Sequence, residues 1–161
     1  YTLSLHDALP IYVPNTEMAL LVCAWVVAFF PVLSNTTLGL RSADLLASLQ
    51  PDLDALKRLT PHVGADGYFL FVRDARGPGT TEARLFSPVL GIPEDPVSGN
   101  AHGMLGAYLV GHGLVPVKDG HARLRGYQGR SMDRHGEVDV DVEVVNGEAA
   151  TITISGIGKI L

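Results

Sequence analysis

The chain has one cysteine, Cys23, in 161 residues. No disulfide can close within it, two-thiol chemistry is excluded, and an oxidising compartment is neither required nor indicated. The six histidines (His6, His62, His102, His112, His121 and His135) show none of the spacings of a zinc site, and no metal is expected. No Lys or Arg precedes Arg41, so the basic start of a signal peptide is missing. Basic residues number 12 against 17 acidic ones, giving a formal net charge of −5 and a pI near 5.6. Without a basic patch, nucleic acid is not an expected partner. The thin cluster of Arg123, Arg125, Arg130 and Arg134 reads as a solvated sheet face. The apolar run at residues 19–33 falls short of the roughly 18 residues a membrane span needs, and Pro31 interrupts it. Its β-branched and aromatic content reads better as a buried strand, with Cys23 a small buried hydrophobe and no membrane partner.

Charge is also missing where it is least dispensable. From Val97 to Val117 there is no Asp, Glu, Lys or Arg. A helix in this stretch has no polar face and must be surrounded by protein. Immediately before it stands Gly91-Ile92-Pro93-Glu94-Asp95-Pro96-Val97-Ser98-Gly99-Asn100-Ala101. That order delivers a carboxylate and a row of backbone N–H groups to the mouth of a buried helix, a common way of holding a small anion.

At 161 residues, one domain with a core is the natural size. Residues 1–11 show neither helical nor strand period, lack an initiator Met, and resemble the translation of a sequencing adapter. They are set apart as non-native, and the His6-Asp7 pair is given no function. Residues 42–59 carry a helical period, with Leu45, Leu46, Leu49, Leu53, Leu56 and Leu59 on one side. Ser42 or Asp44 caps the start, and Pro51 divides the stretch into two short helices. Strands are expected at residues 67–73 and 82–86, with a Gly/Pro loop between them. The charge-free helix is expected at residues 101–111, with Gly111 and Gly113 as C-cap residues. A strand at residues 121–126 follows. Residues 137–145 then alternate, with Val138, Val140, Val142 and Val144 on one face and Asp139, Asp141 and Glu143 on the other. Asn146-Gly147 supplies a type I′ hairpin, and residues 149–155 return. The expected class is α+β: a curved, mostly antiparallel sheet wrapped around one central apolar helix. Met104, Leu105, Tyr108, Leu109 and Val110 would be buried, while Gly103, Gly106 and Ala107 let strands come close.

Within the loop, Pro96 biases Asp95 towards extended backbone, and Gly99 allows close approach. The N–H groups of Gly99, Asn100 and Ala101 can bind a substrate carboxylate, and Asp95 beside it suits an amine or a proton-transfer role. The plainer alternative is that Asp95 or Ser98 only caps the helix. His102 reads as a hydrogen-bonded core histidine, Glu94 as a loop or interface charge, and His112 as a residue opposing the helix dipole.

Arg84-Leu85-Phe86-Ser87-Pro88, the 91–101 motif, Gly126-Tyr127-Gln128-Gly129-Arg130 and Ile154-Ser155-Gly156 together resemble the C-terminal signature of the phenazine-biosynthesis (PhzF-type) isomerase family. The resemblance covers roughly residues 35–161. It implies the diaminopimelate-epimerase-like fold, a cytoplasmic location, a homodimeric parent, and cofactor-independent isomerisation of a small amino-carboxylate. Asp95 matches the family's active-site aspartate, and Gly99, Asn100 and Ala101 its substrate-carboxylate cradle. Asn100 stands where several members have serine and related racemases a thiol. An amide cannot exchange a proton at neutral pH, so a one-base isomerisation survives. The family's Ser-Glu-Thr and Gly-His-Ala-Thr motifs do not occur in the sequence, and Glu17 is no convincing substitute. The expected organisation is therefore a non-native segment at 1–11, an interdomain remnant at 12–60 and a C-terminal domain at 61–161. A fragment of this kind would itself be inactive, and a non-catalytic small-anion-binding protein of the same fold is the alternative.

Overall fold

The computed structural model describes residues 2–4 and 42–156. The strand expected at 19–33, Cys23, Glu17 and the His6-Asp7 pair lie outside the described residues. Two compact units are present, neither contiguous in sequence. The first holds residues 99–126 and 137–156 with the short strand near the start; the second holds residues 42–98 and 127–136.

The first unit carries the apolar helix, α3 (Gly99–Gly111). Beside it run β5 (His121–Gln128, its last two residues belonging to the second unit), β6 (Gly136–Val145) and β7 (Glu148–Ser155). The strands lie in the order β7, β6, β5, with β6 and β7 antiparallel. The turn between them has Asn146 and Gly147 both at positive φ, 54° and 85°, as a type I′ hairpin requires. Val138, Val140 and Val142 are buried while Asp139 and Glu143 are exposed, so the alternation holds until a register shift at Glu143/Val144 leaves Val144 half-buried. The buried face meets α3. A Cβ at Gly106 would stand 2.9 Å from Val140 Cγ1 and 3.0 Å from Val142 Cγ2, and one at Gly103 2.9 Å from Ile154 Cδ1. Close approach therefore rests on Gly103 and Gly106, with Ala107 only half-buried. The class is α+β with a helix packed on a curved open sheet, as expected.

Three expectations are corrected by the structure. Leu105, Leu109 and Val110 are buried, but Met104 and Tyr108 are half-buried. With Asn100 and Gly111 exposed, positions 100, 104, 107, 108 and 111 form one helical stripe that is less covered than the rest. The helix also begins at Gly99, two residues earlier than expected, and includes Gly111. Its stop is Gly113, left-handed at φ 61°, with Leu114 N–H donating to Leu109 O and Gly113 N–H to Val110 O. Residues 2–4, expected to have no regular structure, form β1 (Thr2–Ser4) along β7. An open strand edge accepts an extended segment through backbone groups alone, whatever its side-chain pattern.

The second unit opens with α1 (Ala43–Ser48) and α2 (Leu53–Val63). Ser42 caps the first and Asp52 the second, each accepting the N–H three residues on, and Pro51 separates them as expected. The second helix outlasts Leu59, since its left-handed cap is Gly64 at φ 66°. The leucines do not share one side: Leu46 is buried, whereas Leu45 and Leu59 are about half exposed. Next come β2 (Tyr68–Arg73) and β3 (Thr80–Ser87), an antiparallel pair with Leu70 opposite Arg84 and Phe69 opposite Leu85. A 3-10 turn, Pro88–Leu90, leads to β4 (Ile92–Asp95), which returns along β3.

Candidate active site

β4 ends on Asp95, and the chain reaches the first turn of α3 after Pro96-Val97-Ser98. Asp95 is half-buried. Its Oδ1 accepts the Val97 N–H at 3.2 Å, a tight turn between a side chain and the backbone two residues on. The carboxylate therefore closes its own turn before the helix begins at Gly99.

A residue the sequence reading left without a role holds this turn. Gln128 ends β5 and is almost wholly buried. Its Nε2 donates to Asp95 O at 2.6 Å, and its Oε1 accepts the Ser98 N–H at 3.2 Å. One amide thus satisfies an acceptor and a donor at the two ends of the turn. The next residue must be glycine: Gly129 has φ 84°, and a Cβ there would stand 2.6 Å from Pro96 O. Gly136 presses on Val97 in the same way. The family-like run Gly126-Tyr127-Gln128-Gly129-Arg130 was the available signal, but spacing alone does not say which backbone a buried amide meets.

Glu94, expected as a loop or interface charge, is instead an internal partner. Arg84 donates from Nε to Oε1 at 2.9 Å and from Nη2 to Oε2 at 2.8 Å, and Ser131 Oγ donates to Oε1 at 2.6 Å. Arg84 Nη1 reaches the other way, to Leu46 O at 3.0 Å and Leu49 O at 2.7 Å, closing the C-terminus of α1. Burial alone would raise the Glu94 pKa, but the hydrogen bonds from Arg84 and Ser131 and the guanidinium charge outweigh it and hold the carboxyl below its ordinary 4.5.

In the first unit, Gly99, Asn100 and Ala101 are the first three residues of α3, at the positive end of the helix dipole. Ala101 is buried and Asn100 is exposed. His102 is buried, and its imidazole lies against Gly126, where any Cβ would collide with the ring. The core reading of His102 fits this packing. His112 Nδ1 lies 2.9 Å from Tyr108 O in the last turn, a suitable place for a residue that opposes the dipole. Of the arginine cluster, Arg123 and Arg125 do lie on a solvated sheet face, paired with Asp141 and Asp139. Arg130 belongs to a 3-10 turn, Arg130–Met132, and pairs with Asp44. Among the described residues no group of three His, Cys, Asp or Glu side chains could hold a metal ion, and no helix is long and apolar enough to cross a membrane.

This α+β architecture, a helix packed on a curved open sheet, is one shared with solved PhzF-family and epimerase structures. The chain belongs to the PhzC-PhzF family, phenazine biosynthesis-like proteins, whose family model matches residues 26–160. It is 41% identical over 114 residues to the uncharacterized isomerase YddE of Escherichia coli, covering 71% of this chain and 38% of that protein. It is 37% identical over 124 residues to an uncharacterized isomerase of Clostridium acetobutylicum, covering 76% of this chain and 41% of that one. The chain thus spans about two fifths of the length of these relatives. Among solved structures, a PhzF-family phenazine biosynthesis protein of Bacillus anthracis superposes with a TM-score of 0.58 at 23% identity, over 74% of this chain and 42% of that one. A hydroxyproline epimerase from Agrobacterium vitis, solved with bound trans-4-hydroxy-L-proline, gives 0.51 at 16% identity, over 71% and 33%.

Proposed function

We propose that this chain forms one side of the active site of an isomerase that moves a proton on a small amino-carboxylate-like substrate without a cofactor. The observation that carries this reading is the Asp95 turn, tied by Gln128, running directly into the first turn of a helix that holds no charged residue. In this reading the Gly99–Ala101 backbone, at the positive end of the helix dipole, takes the substrate carboxylate. Asp95 pairs with the substrate's cationic or proton-bearing group. Asn100 can donate and accept hydrogen bonds at the same anion but does not relay a proton. One base therefore takes the proton from carbon and the same base, or its conjugate acid, returns it at another position.

That base is not among the residues assigned here. The Ser-Glu-Thr context that carries it in the family is absent from the sequence, and the chain spans 38% of its Escherichia coli relative. We place it in the part of the relatives' length that this chain does not span, so these 161 residues alone are expected to show no turnover. The parent would work in the cytoplasm, as a homodimer. In a full-length parent, Asp95→Ala should abolish incorporation of solvent deuterium into substrate. Exchange at the unaltered rate would remove Asp95 from the mechanism. The exposed amide of Asn100 favours one other reading, a binder of small anions that does not catalyse. Calorimetry that finds binding by the full-length protein without deuterium exchange would select it.

A further inference from the structure

We propose that Gln128 is a positioning residue for Asp95, acting as a two-ended clamp on the 95–98 turn. The proposal rests on the reading of Asp95 given above and assigns the residue that keeps its carboxylate in place. Gln128 touches no reacting group in that reading; it acts through Asp95 and Ser98.

Three observations bear on it. The side chain is 1% exposed, so its amide exchanges no hydrogen bonds with bulk water. Both of its heteroatoms are spent on the same turn, Nε2 on Asp95 O at 2.6 Å and Oε1 on the Ser98 N–H at 3.2 Å. These two bonds fix the polypeptide on either side of the Asp95 Oδ1 to Val97 N–H contact, which a mobile turn would not keep. The surrounding chain is shaped to the same end: glycine at 129 and at 136 lets the segment lie against Pro96 and Val97.

The clamp needs a side chain of this shape that both donates and accepts. A carboxylate of the same shape accepts from Ser98 but has nothing to donate to Asp95 O, and two oxygens would face each other in a buried space. A carboxylic acid, in contrast, both donates and accepts. Gln128→Glu should therefore hold the turn while protonated and release it when ionised, with its transition displaced upward by burial. Gln128→Met keeps the volume and removes both hydrogen bonds.

The test is hydrogen exchange of individual backbone amides by NMR on the full 161-residue chain, expressed as protection relative to intrinsic rates. Gln128→Met should lower protection at Ser98 about tenfold, the worth of one net hydrogen bond, and should also lower it at Val97, whose N–H donates to Asp95 Oδ1. Amides of Val140 and Val142 should not change. Gln128→Glu should match the unaltered chain near pH 4 and approach Gln128→Met as the pH rises. The proposal is overturned by Ser98 protection within twofold of the unaltered chain in Gln128→Met. It is equally overturned by Gln128→Glu being as loose near pH 4 as at higher pH, and that arm decides if the Met variant does not fold. Failure of the Asp95 reading itself shows elsewhere, as unaltered solvent-deuterium incorporation by Asp95→Ala in the full-length parent.

Discussion

Arg84 grips Glu94 with two parallel hydrogen bonds, 2.9 and 2.8 Å long, in a pair whose side chains are only 7% and 15% exposed. The same guanidinium closes α1 through the Leu46 and Leu49 carbonyls, so one side chain joins a helix end to the strand that carries Asp95. Removing it leaves a partly buried carboxylate and two carbonyls without their donor. Arg84→Met should cost about 3–5 kcal/mol in urea unfolding, the range for breaking a buried pair from one side. Arg125 and Asp139 make a similar two-pronged contact at the surface, half exposed on both sides. Arg125→Ala should cost no more than about 1 kcal/mol. Equal losses for the two variants would mean that the Arg84 network is solvated.

Because that pair depresses the Glu94 pKa, it also sets a direction for pH dependence. Above the ordinary glutamate value near 4.5, both folded and unfolded chains carry Glu94 ionised, and the full stabilisation is present. As the pH falls below it, the unfolded chain binds the proton first. Stability then drops until the folded carboxyl also protonates at its lower pKa. Asp141 contributes with the same sign: burial alone raises its pKa, but hydrogen bonds from Arg123 and His121 and their charges lower it. Half-exposed as it is, its share is discounted for screening. Unfolding midpoints measured between about pH 3 and 7 should fall on the acid side, and Glu94→Gln should flatten that fall. An acid limb that Glu94→Gln leaves as steep would assign it to other carboxylates.

What the sequence made legible follows from how local each signal is. The type I′ hairpin at Asn146-Gly147 and the valine alternation of β6 depend on neighbours in the chain, and both are present in the structure. So is the break at Pro51 between α1 and α2. The 91–101 motif placed Asp95 before a helix because the absence of charge over residues 97–117 is visible without coordinates. Glu94 and Gln128 were not legible in this way. Their partners Arg84 and Ser131, and the Asp95 and Ser98 backbone, are 10, 37, 33 and 30 residues distant. A buried side chain takes its role from the partner that folding brings to it, and neither residue type announces one. The misjudged leucines have a similar origin: a break at Pro51 resets the helical phase, so Leu59 is not on the face that buries Leu46.

His102 and Gly126 form a lock-and-key pair across α3 and β5. The buried imidazole occupies the space where any Cβ at position 126 would stand. Gly126→Ala should therefore destabilise by about 1–3 kcal/mol, the usual cost of overpacking a core. If the ring is the obstacle, His102→Ala should remove much of that penalty when the two changes are combined, although it opens a cavity of its own. A double-mutant cycle by urea unfolding measures this, and additive losses would show that the strain lies elsewhere.

The two glycines on the buried face of α3 should respond differently to the same substitution, and the difference tests how firmly the valine face of β6 is packed. In a helix interior, Gly→Ala is worth about 1 kcal/mol of stabilisation before packing is considered. At Gly103 the nearest obstacle to a new Cβ is Ile154 Cδ1 at 2.9 Å, the free end of a long side chain on half-buried β7. A small χ2 rotation clears it, so Gly103→Ala should be neutral or slightly stabilising. At Gly106 the obstacles are Val140 Cγ1 at 2.9 Å and Val142 Cγ2 at 3.0 Å, with Leu124 Cδ1 behind them at 3.6 Å. Valine has a single side-chain torsion with few accessible rotamers, and both valines are fully buried on adjoining positions of one strand face. Helix and strand would have to separate there, at about 1–3 kcal/mol, which exceeds the propensity gain. Gly106→Ala should therefore lower the urea midpoint while Gly103→Ala does not. The reverse order would mean that the β7 side of the helix is the tighter contact, and that the packing of α3 is set by Ile152 and Ile154 rather than by the β6 valines.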